Sequence, residues 1–307
     1  MTTLCEAAFP NGTFVRGKWN GGKYRVERLL GEGANGKVYL VSRGKSLYAL
    51  KIGYDALDHQ SEVNVLKSLA RRSASFRGFL VDADDFLWNG ETVPFYVMKY
   101  VKGQTLPEFL KKREPDWLYV IGLHLLGKLN ELHRHGWAFG DLKADNVMVT
   151  GYGGVELVDF GGVTPMGKSI RQFTEVYDRG CWNAGTRVAD EGYDLFAFAV
   201  LCIQMAKYRG SAAAYAQLLP QNRRIEFLLD EIKETPQLGR VSHVLVKALR
   251  GQYRSSAEAL REWRELSIDA PHRASPAGLP LPWLKYCFAA SLLLFVATLV
   301  FFWWQGN

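Results

Sequence analysis

From Tyr286 to Trp304 the chain runs nineteen residues without a charged side chain. About 20 apolar residues are what a helix needs to cross the hydrocarbon core of a bilayer. In that setting every N–H and C=O must be satisfied within the segment, which leaves a helix as the available form. Trp283 and Tyr286 stand at one end and Trp303 and Trp304 at the other, the placement that membrane interfaces favour. No polar face remains to turn toward water, as a helix of a soluble core would need. Arg261, Arg264, Arg273 and Lys285 precede the run, and Gln305-Gly306-Asn307 follow it. The positive-inside rule then expects a single-pass C-terminal anchor with the bulk of the chain in the cytoplasm. Expected divisions are a Pro-rich juxtamembrane linker over 268–283, a transmembrane helix over 284–304 and a short extracytoplasmic tail, 305–307, with no sensor domain beyond the membrane. Ala289, Ala290 and Ser291 are small enough for close helix approach, which would let two copies pair as a homodimer.

The other residues are those of a globular protein. Hydrophobic residues make up 48% and charged residues 22% of the 307 residues, which excludes global disorder. Lys and Arg outnumber Asp and Glu by 38 to 31, giving a net charge of +7. The basic residues cluster in short runs such as Arg71-Arg72 and Lys111-Lys112-Arg113, without a long tract interleaved with aromatics. Nucleic acid is therefore not an expected partner, and a cytosolic face near anionic lipid is. Cys5, Cys181, Cys202 and Cys287 lie far apart with no ligand or disulfide spacing, so a reducing compartment is expected. The N-terminus lacks the basic start and apolar core of a signal peptide.

Residues 1–22 are Gly- and Asn-rich and read as a lead-in arm. Over 23–101 strand signals dominate. Tyr24–Leu30 leads into Gly31-Glu32-Gly33-Ala34-Asn35-Gly36, and Lys37–Val41 leads out. A glycine turn between two strands lets backbone N–H groups approach phosphates without Cβ interference. A strand rather than a helix follows this turn, which disfavours a dinucleotide site. Ser46–Ile52 is a strand whose apolar pattern Lys51 interrupts. Asp58–Arg72 has helical spacing, with Glu62 beside the apolar stripe where it can turn inward to Lys51. Phe79–Trp88 and Thr92–Tyr100 form a hairpin on Asn89-Gly90. From residue 102 to 267 helices take over, at Trp117–His133, Tyr193–Lys207, Phe227–Lys233 and Val241–Leu249. Asp116 is a candidate cap for the first of these. The last helix opens at the capping box Ser255-Ser256-Ala257-Glu258. His133 and His135 are assigned no chemistry, because histidines at a helix end commonly complement its dipole.

Chemistry concentrates in Phe139-Gly140-Asp141-Leu142-Lys143-Ala144-Asp145-Asn146, the short run Val147–Val149, and Asp159-Phe160-Gly161. Two neighbouring turns, each scaffolded by apolar strands, carry Asp141, Lys143, Asn146 and Asp159. Phosphoryl transfer from a nucleotide needs this set. One carboxylate stands beside the attacking hydroxyl, and an amide oxygen and a second carboxylate hold metal ions on the phosphates.

Taken in order, these pieces resemble the eukaryotic-type Ser/Thr protein kinase family over roughly residues 24–266. The resemblance implies an α+β, bilobal fold with a β-rich N-lobe and a helical C-lobe, to which the apolar run adds one C-terminal transmembrane helix. It implies Mg²⁺- or Mn²⁺-dependent use of ATP and protein substrates. Gly31, Gly33, Gly36 and Val38 correspond to the phosphate-covering loop. Ala49 and Lys51 match the third-strand motif, with Glu62 as the partner of Lys51. Met98 takes the gatekeeper place, and Lys99 to Val101 would meet adenine. Asp141 matches the catalytic base and Lys143 the lysine beside the γ-phosphate, while Asn146 and Asp159 match the metal ligands. Thr174 and Tyr177 match Thr-x-x-Tyr, and Asp194 matches the aspartate that braces the catalytic loop. Thr164, Ser169 and Thr174 are the hydroxyl candidates for activation-segment phosphorylation.

Departures from the family pattern set further expectations. Phe139-Gly140 stands where His-Arg is usual, so the arginine that clamps a phosphorylated segment is missing, while Phe139 can still pack on Phe160. Gly180-Cys181 replaces the Pro-Glu of the segment's end, leaving Arg254 at the place of that glutamate's usual partner. Constitutive competence, controlled by location, is expected. Two other readings stay open. Gly140-Asp141 also suits small-molecule phosphotransferases of the aminoglycoside or choline kinase type, although Lys143 and Thr174-x-x-Tyr177 favour a peptide hydroxyl. A pseudokinase scaffold at the membrane is the third, against which Lys51, Asp141 and Asp159 are all present.

Overall fold

The computed structural model describes residues 8–33, 35–72, 76–111, 117–207, 222–268 and 282–305. It falls into two compact units, residues 1–265 and 266–307. The candidate cap Asp116 lies outside the described residues, as do residues 269–281 of the expected 268–283 linker.

The first unit opens with strands β1 (Phe14–Arg16), β2 (Lys23–Gly33), β3 (Gly36–Arg43) and β4 (Ser46–Gly53), then helix α1 (Ala56–Arg72), β5 (Leu80–Trp88) and β6 (Glu91–Lys99). They make one six-stranded sheet in the order β1-β2-β3-β4-β6-β5. Alternation drives it: Tyr24, Val26, Tyr39, Val41, Leu50, Phe86, Phe95 and Val97 turn to one face and form a buried core. Asn89 and Gly90 take φ values of 49° and 86°, the left-handed pair that a two-residue hairpin between β5 and β6 requires.

The sheet begins earlier than the sequence pattern indicates. Within the supposed arm, Phe14–Arg16 pairs with β2 and Val15 is wholly buried. Phe9 stacks on Tyr39 with ring centroids 5.3 Å apart. A three-residue strand among Gly and Asn gives no periodicity to read, yet it covers one edge of the core.

Helices build the second half: α2 (Leu106–Leu110) after the short strand β7 (Gln104–Thr105), then α3 (Trp117–Arg134). The short strands β8 (Trp137–Ala138), β9 (Val147–Val149), β10 (Val155–Leu157) and β11 (Thr164–Pro165) follow, and then α4 (Glu191–Ala206), α5 (Ile225–Glu234), α6 (Ser242–Leu249) and α7 (Ser256–Ile268). Leu118, Ile121, Leu125, Leu129 and Leu132 of α3 are buried, as their spacing predicts. Helix α4 starts two residues before the apolar run because Asp190 caps it, accepting from the Tyr193 N–H at 2.7 Å. At α7 only half of the expected capping box forms. Ser255 Oγ accepts from Glu258 N, whereas the Glu258 carboxylate accepts from Arg254 N.

The second unit contains α8 (Pro282–Gln305). Its window Tyr286–Gln305 has a mean hydropathy of 2.2 and none of it is buried in the protein, so by length and composition it is apolar enough to cross a membrane.

Candidate active site

Two antiparallel pairs, β9–β10 and β8–β11, clamp the two chemistry-bearing turns from both sides. Between those turns and the sheet lies a cleft of about 890 Å³, lined by Gly31, Lys51, Asp141, Lys143, Asn146 and Asp159 among others. Every nucleotide-directed residue named from the sequence except Glu62 lines it: Gly33, Gly36, Val38, Ala49, Met98, Lys99 and Val101. The Lys99 N–H is taken by Phe79 O at 2.8 Å. Glu62 sits behind the cleft, and its carboxylate accepts from Lys51 Nζ at 2.8 Å. On its other oxygen Glu62 accepts from the Tyr96 hydroxyl at 2.8 Å, a buried partner with no sequence signal.

Lys51 also reaches Asp159 at 2.9 Å. Burial alone would lower the ammonium's pKa, but Asp159 and Glu62 outweigh it and the net shift is upward. Asp159 moves the other way: burial pushes it up, Lys51 pulls it down, and the carboxylate ends below its ordinary range. Both groups are therefore charged at neutral pH. Asp159 holds a left-handed backbone, φ 62° and ψ 88°, strain that the surrounding packing must maintain.

Phe160 packs edge-on to Phe139 and Phe79, with centroids 6.0 and 5.1 Å away. The apolar contact expected of Phe139 is thus made.

On the opposite wall, Lys143 Nζ donates to Asp141 Oδ2 and Thr174 Oγ1 donates to Asp141 Oδ1, each at 2.8 Å. Asn146 Nδ2 donates to the Asp141 carbonyl at 2.9 Å, which leaves the amide oxygen for a ligand. Thr174 was expected as a phosphosite, and the structure gives its hydroxyl a different partner, the Asp141 carboxylate itself. A phosphate there would set a dianion against an anion. Thr164 donates to Gly162 O from β11, and Ser169 is exposed.

Gly140 explains itself. Its φ is +79°, and a Cβ would lie 2.3 Å from Gly162 O and 3.1 Å from Ile170. The space beside it is filled by the activation segment, where Ile170 joins Ala138, Ala189 and Tyr193 in a buried cluster against which Met166 and Phe173 pack.

The segment's far end has its own buried acid. Asp178, fully buried, accepts from Arg187 Nε at 2.7 Å, Tyr193 Oη at 2.8 Å and Cys181 N at 3.0 Å. Burial raises its pKa, but these donors win and the net shift is downward. Arg254 is exposed, and its backbone N–H donates to the Glu258 carboxylate at 3.1 Å.

Asp194 of α4 accepts from the N–H groups of Phe139 at 2.6 Å and Gly140 at 2.9 Å. Behind it stands His133, whose Nε2 is 2.8 Å from Asp194 and whose Nδ1 is 2.8 Å from Ser256 Oγ. This corrects the reading of His133 as a helix-end group without a role. Burial would lower its pKa, but Asp194 and Glu191 raise it to about 9.

Nucleotide and metal fit these residues. A Cβ on Gly31 or Gly33 would meet nothing within 4 Å, so the loop leaves open room over the cleft. Asn146 and Asp159 offer the hard oxygen donors that Mg²⁺ takes alongside phosphate. A cage of three or more acidic, His or Cys ligands does not occur among the described residues, and such an ion does not need one.

The protein kinase domain profile matches residues 24–243. The chain belongs to the protein kinase family. It is 38% identical over 280 residues to the Bacillus subtilis serine/threonine-protein kinase YabT, covering 90% of this chain and 80% of that protein. Serine/threonine-protein kinase SMU1 of Mycosarcoma maydis is 25% identical over 192 residues, 60% of this chain and 26% of the relative. Serine/threonine-protein kinase max-2 of Caenorhabditis elegans is 30% identical over 151 residues, 46% of this chain and 22% of the relative. The chain thus spans most of the bacterial relative and about a quarter of the eukaryotic ones. ATP-dependent serine/threonine kinase activity goes with this membership.

Proposed function

We propose that this protein kinase phosphorylates serine and threonine hydroxyls of protein substrates from a position anchored in a membrane by α8. The supporting observation is the pair of linked sets across one cleft, Glu62–Lys51–Asp159 and Lys143–Asp141–Thr174. ATP would lie under Gly31–Gly36 against Val38, Ala49 and Met98, with Lys51 toward its phosphates. Asn146 and Asp159 would hold Mg²⁺ or Mn²⁺, which supplies charge neutralisation on the phosphates. Asp141 orients the acceptor hydroxyl and takes its proton. Lys143 balances the charge that develops on the transferred group, and Lys51 does so from the other side.

Domain limits follow the same reading: an N-lobe to residue 101 that includes β1, a C-lobe from 102 to about 267, a linker and the anchor. The activation segment is held by apolar packing and by Asp178–Arg187, which supports competence without a phosphate clamp.

The test is phosphate transfer by the purified full chain, with Mg- or Mn-ATP, to casein or myelin basic protein. Wild type should label the protein, and Asp141→Asn and Lys51→Ala should not. Transfer confined to soluble metabolites would instead favour a small-molecule phosphotransferase. No transfer, with cellular function intact in Lys51→Ala, would favour a scaffold.

A further inference from the structure

The sheet's edge carries an outward face that the catalytic reading does not use. Residues paired directly across antiparallel strands point to the same side. Phe14 pairs with Arg25, Arg25 with Ser42 and Ser42 with Leu47, a single row over β1, β2, β3 and β4. The next pair along β1 and β2 is Arg16 with Lys23, on the same side. Phe14 is 54% and Leu47 48% exposed, high for large apolar side chains. Arg16, Lys23 and Arg25 are exposed around them. Lys23 Nζ lies 4.1 Å from the Phe14 ring centroid, so cation and aromatic form one unit. An acid touches the row: Glu27 accepts from Ser42 Oγ at 2.6 Å.

We infer that this face docks on an anionic lipid surface. Apolar side chains framed by Arg and Lys match a bilayer interface on both counts: the Phe14 ring and Leu47 enter the headgroup layer while the cations meet its charge. The apolar helix α8 favours lipid over other polyanions as the occupant. Ile268 and Pro282 are separated by thirteen residues, 269–281, a contour of at most about 45 Å. The chain would then meet the bilayer twice, once through α8 and once through the β1–β2 edge. With α8 holding the chain at the membrane, the second contact would set how the catalytic unit lies against the lipid rather than whether the chain attaches. Its cellular meaning rests on the anchored reading, but the docking itself can be measured apart from it.

Nanodiscs of zwitterionic phosphatidylcholine carrying the full chain are mixed with vesicles presented in trans, and capture is read by flotation. Vesicles with about a third phosphatidylglycerol should capture the discs and pure phosphatidylcholine vesicles should not, with capture falling as salt rises. The triple variant Arg16→Gln, Lys23→Gln, Arg25→Gln should bind on the order of a hundredfold more weakly, at about fivefold per neutralised cation. Phe14→Ser should weaken capture separately. Neutralising three exposed cations elsewhere, Lys67, Arg224 and Arg250, should leave it within about twofold, the total charge change being equal. Swapping Arg and Lys within the face should restore capture, and unchanged melting temperatures exclude misfolding. Equal capture of wild type and triple variant, or equal loss in the control set, would overturn the proposal. So would retention of duplex DNA through this face with no capture of anionic vesicles. Failure of the chain to co-elute with the disc scaffold would instead sink the anchor, a separate result.

Discussion

At the residue scale, His133 carries the sharpest pH prediction. Its side chain is buried between Asp194, Glu191 and Ser256 and is charged at neutral pH. Its folded pKa of about 9 lies above the free value of 6.5, so its contribution is complete below pH 6.5 and disappears as pH rises through 9. A gap of that size corresponds to roughly 3 kcal/mol. His133→Gln should therefore melt well below wild type at pH 6.5, and the two curves should converge near pH 9.5. Activity should follow, because Asp194 holds the N–H groups of Phe139 and Gly140 only while its own position is fixed. A constant gap between the two proteins across that range would refute the charged state. Asp141→Asn belongs here too: with Lys143 and Thr174 still in place, kcat should fall by at least about a hundredfold, at little cost in melting temperature.

At the scale of elements, the activation segment is held to the catalytic loop by packing. Ile170 fills the space beside Gly140, and Arg187 joins Asp178 to the ring of Phe173, 4.5 Å below its guanidinium. Phosphatase treatment should accordingly leave the specific activity of the full chain within about twofold. Arg187→Ala removes the charged partner of the buried Asp178 carboxylate, but because the guanidinium is 44% exposed the cost falls below the roughly 3–5 kcal/mol of a fully buried pair. It should lower kcat/KM for a protein substrate and leave ATP affinity nearly unchanged, as separate titrations of the two substrates would report. These contacts also mark what the sequence could disclose. Strands and helices with several apolar positions in period were legible, and so was the Asn89-Gly90 hairpin, because local chemistry dictates both. Lys51–Glu62 and the bracing of the catalytic loop by Asp194 were legible through family spacing. Tyr96 on Glu62, His133 on Asp194 and Arg187 on Asp178 were not, since each pair joins residues whose closeness only the folded chain creates. Strand β1 escaped for the opposite reason: three residues are too few for a period.

At the scale of the whole molecule, what remains is where the kinase works. None of the window Tyr286–Gln305 is buried and it has no charged side chain, so in water it would present an apolar surface. Membrane insertion removes that cost. A charged residue at the centre of a spanning helix opposes insertion by about 2.5–3.5 kcal/mol, while each Leu or Phe favours it by only about 0.3–0.6 kcal/mol. Leu294→Arg with Phe295→Arg should therefore shift insertion by roughly 6–8 kcal/mol, enough to reverse it. After carbonate extraction, wild type should stay with the membrane pellet and the double variant should move to the supernatant or aggregate. Rates on a soluble peptide in detergent should match, because neither residue lies in the catalytic unit. Slower phosphorylation of a membrane-bound substrate than of the peptide, in the double variant alone, would show that the anchor sets substrate choice by concentration at the surface. Unchanged pelleting of the variant would place α8 elsewhere and remove the anchor from the account of this kinase.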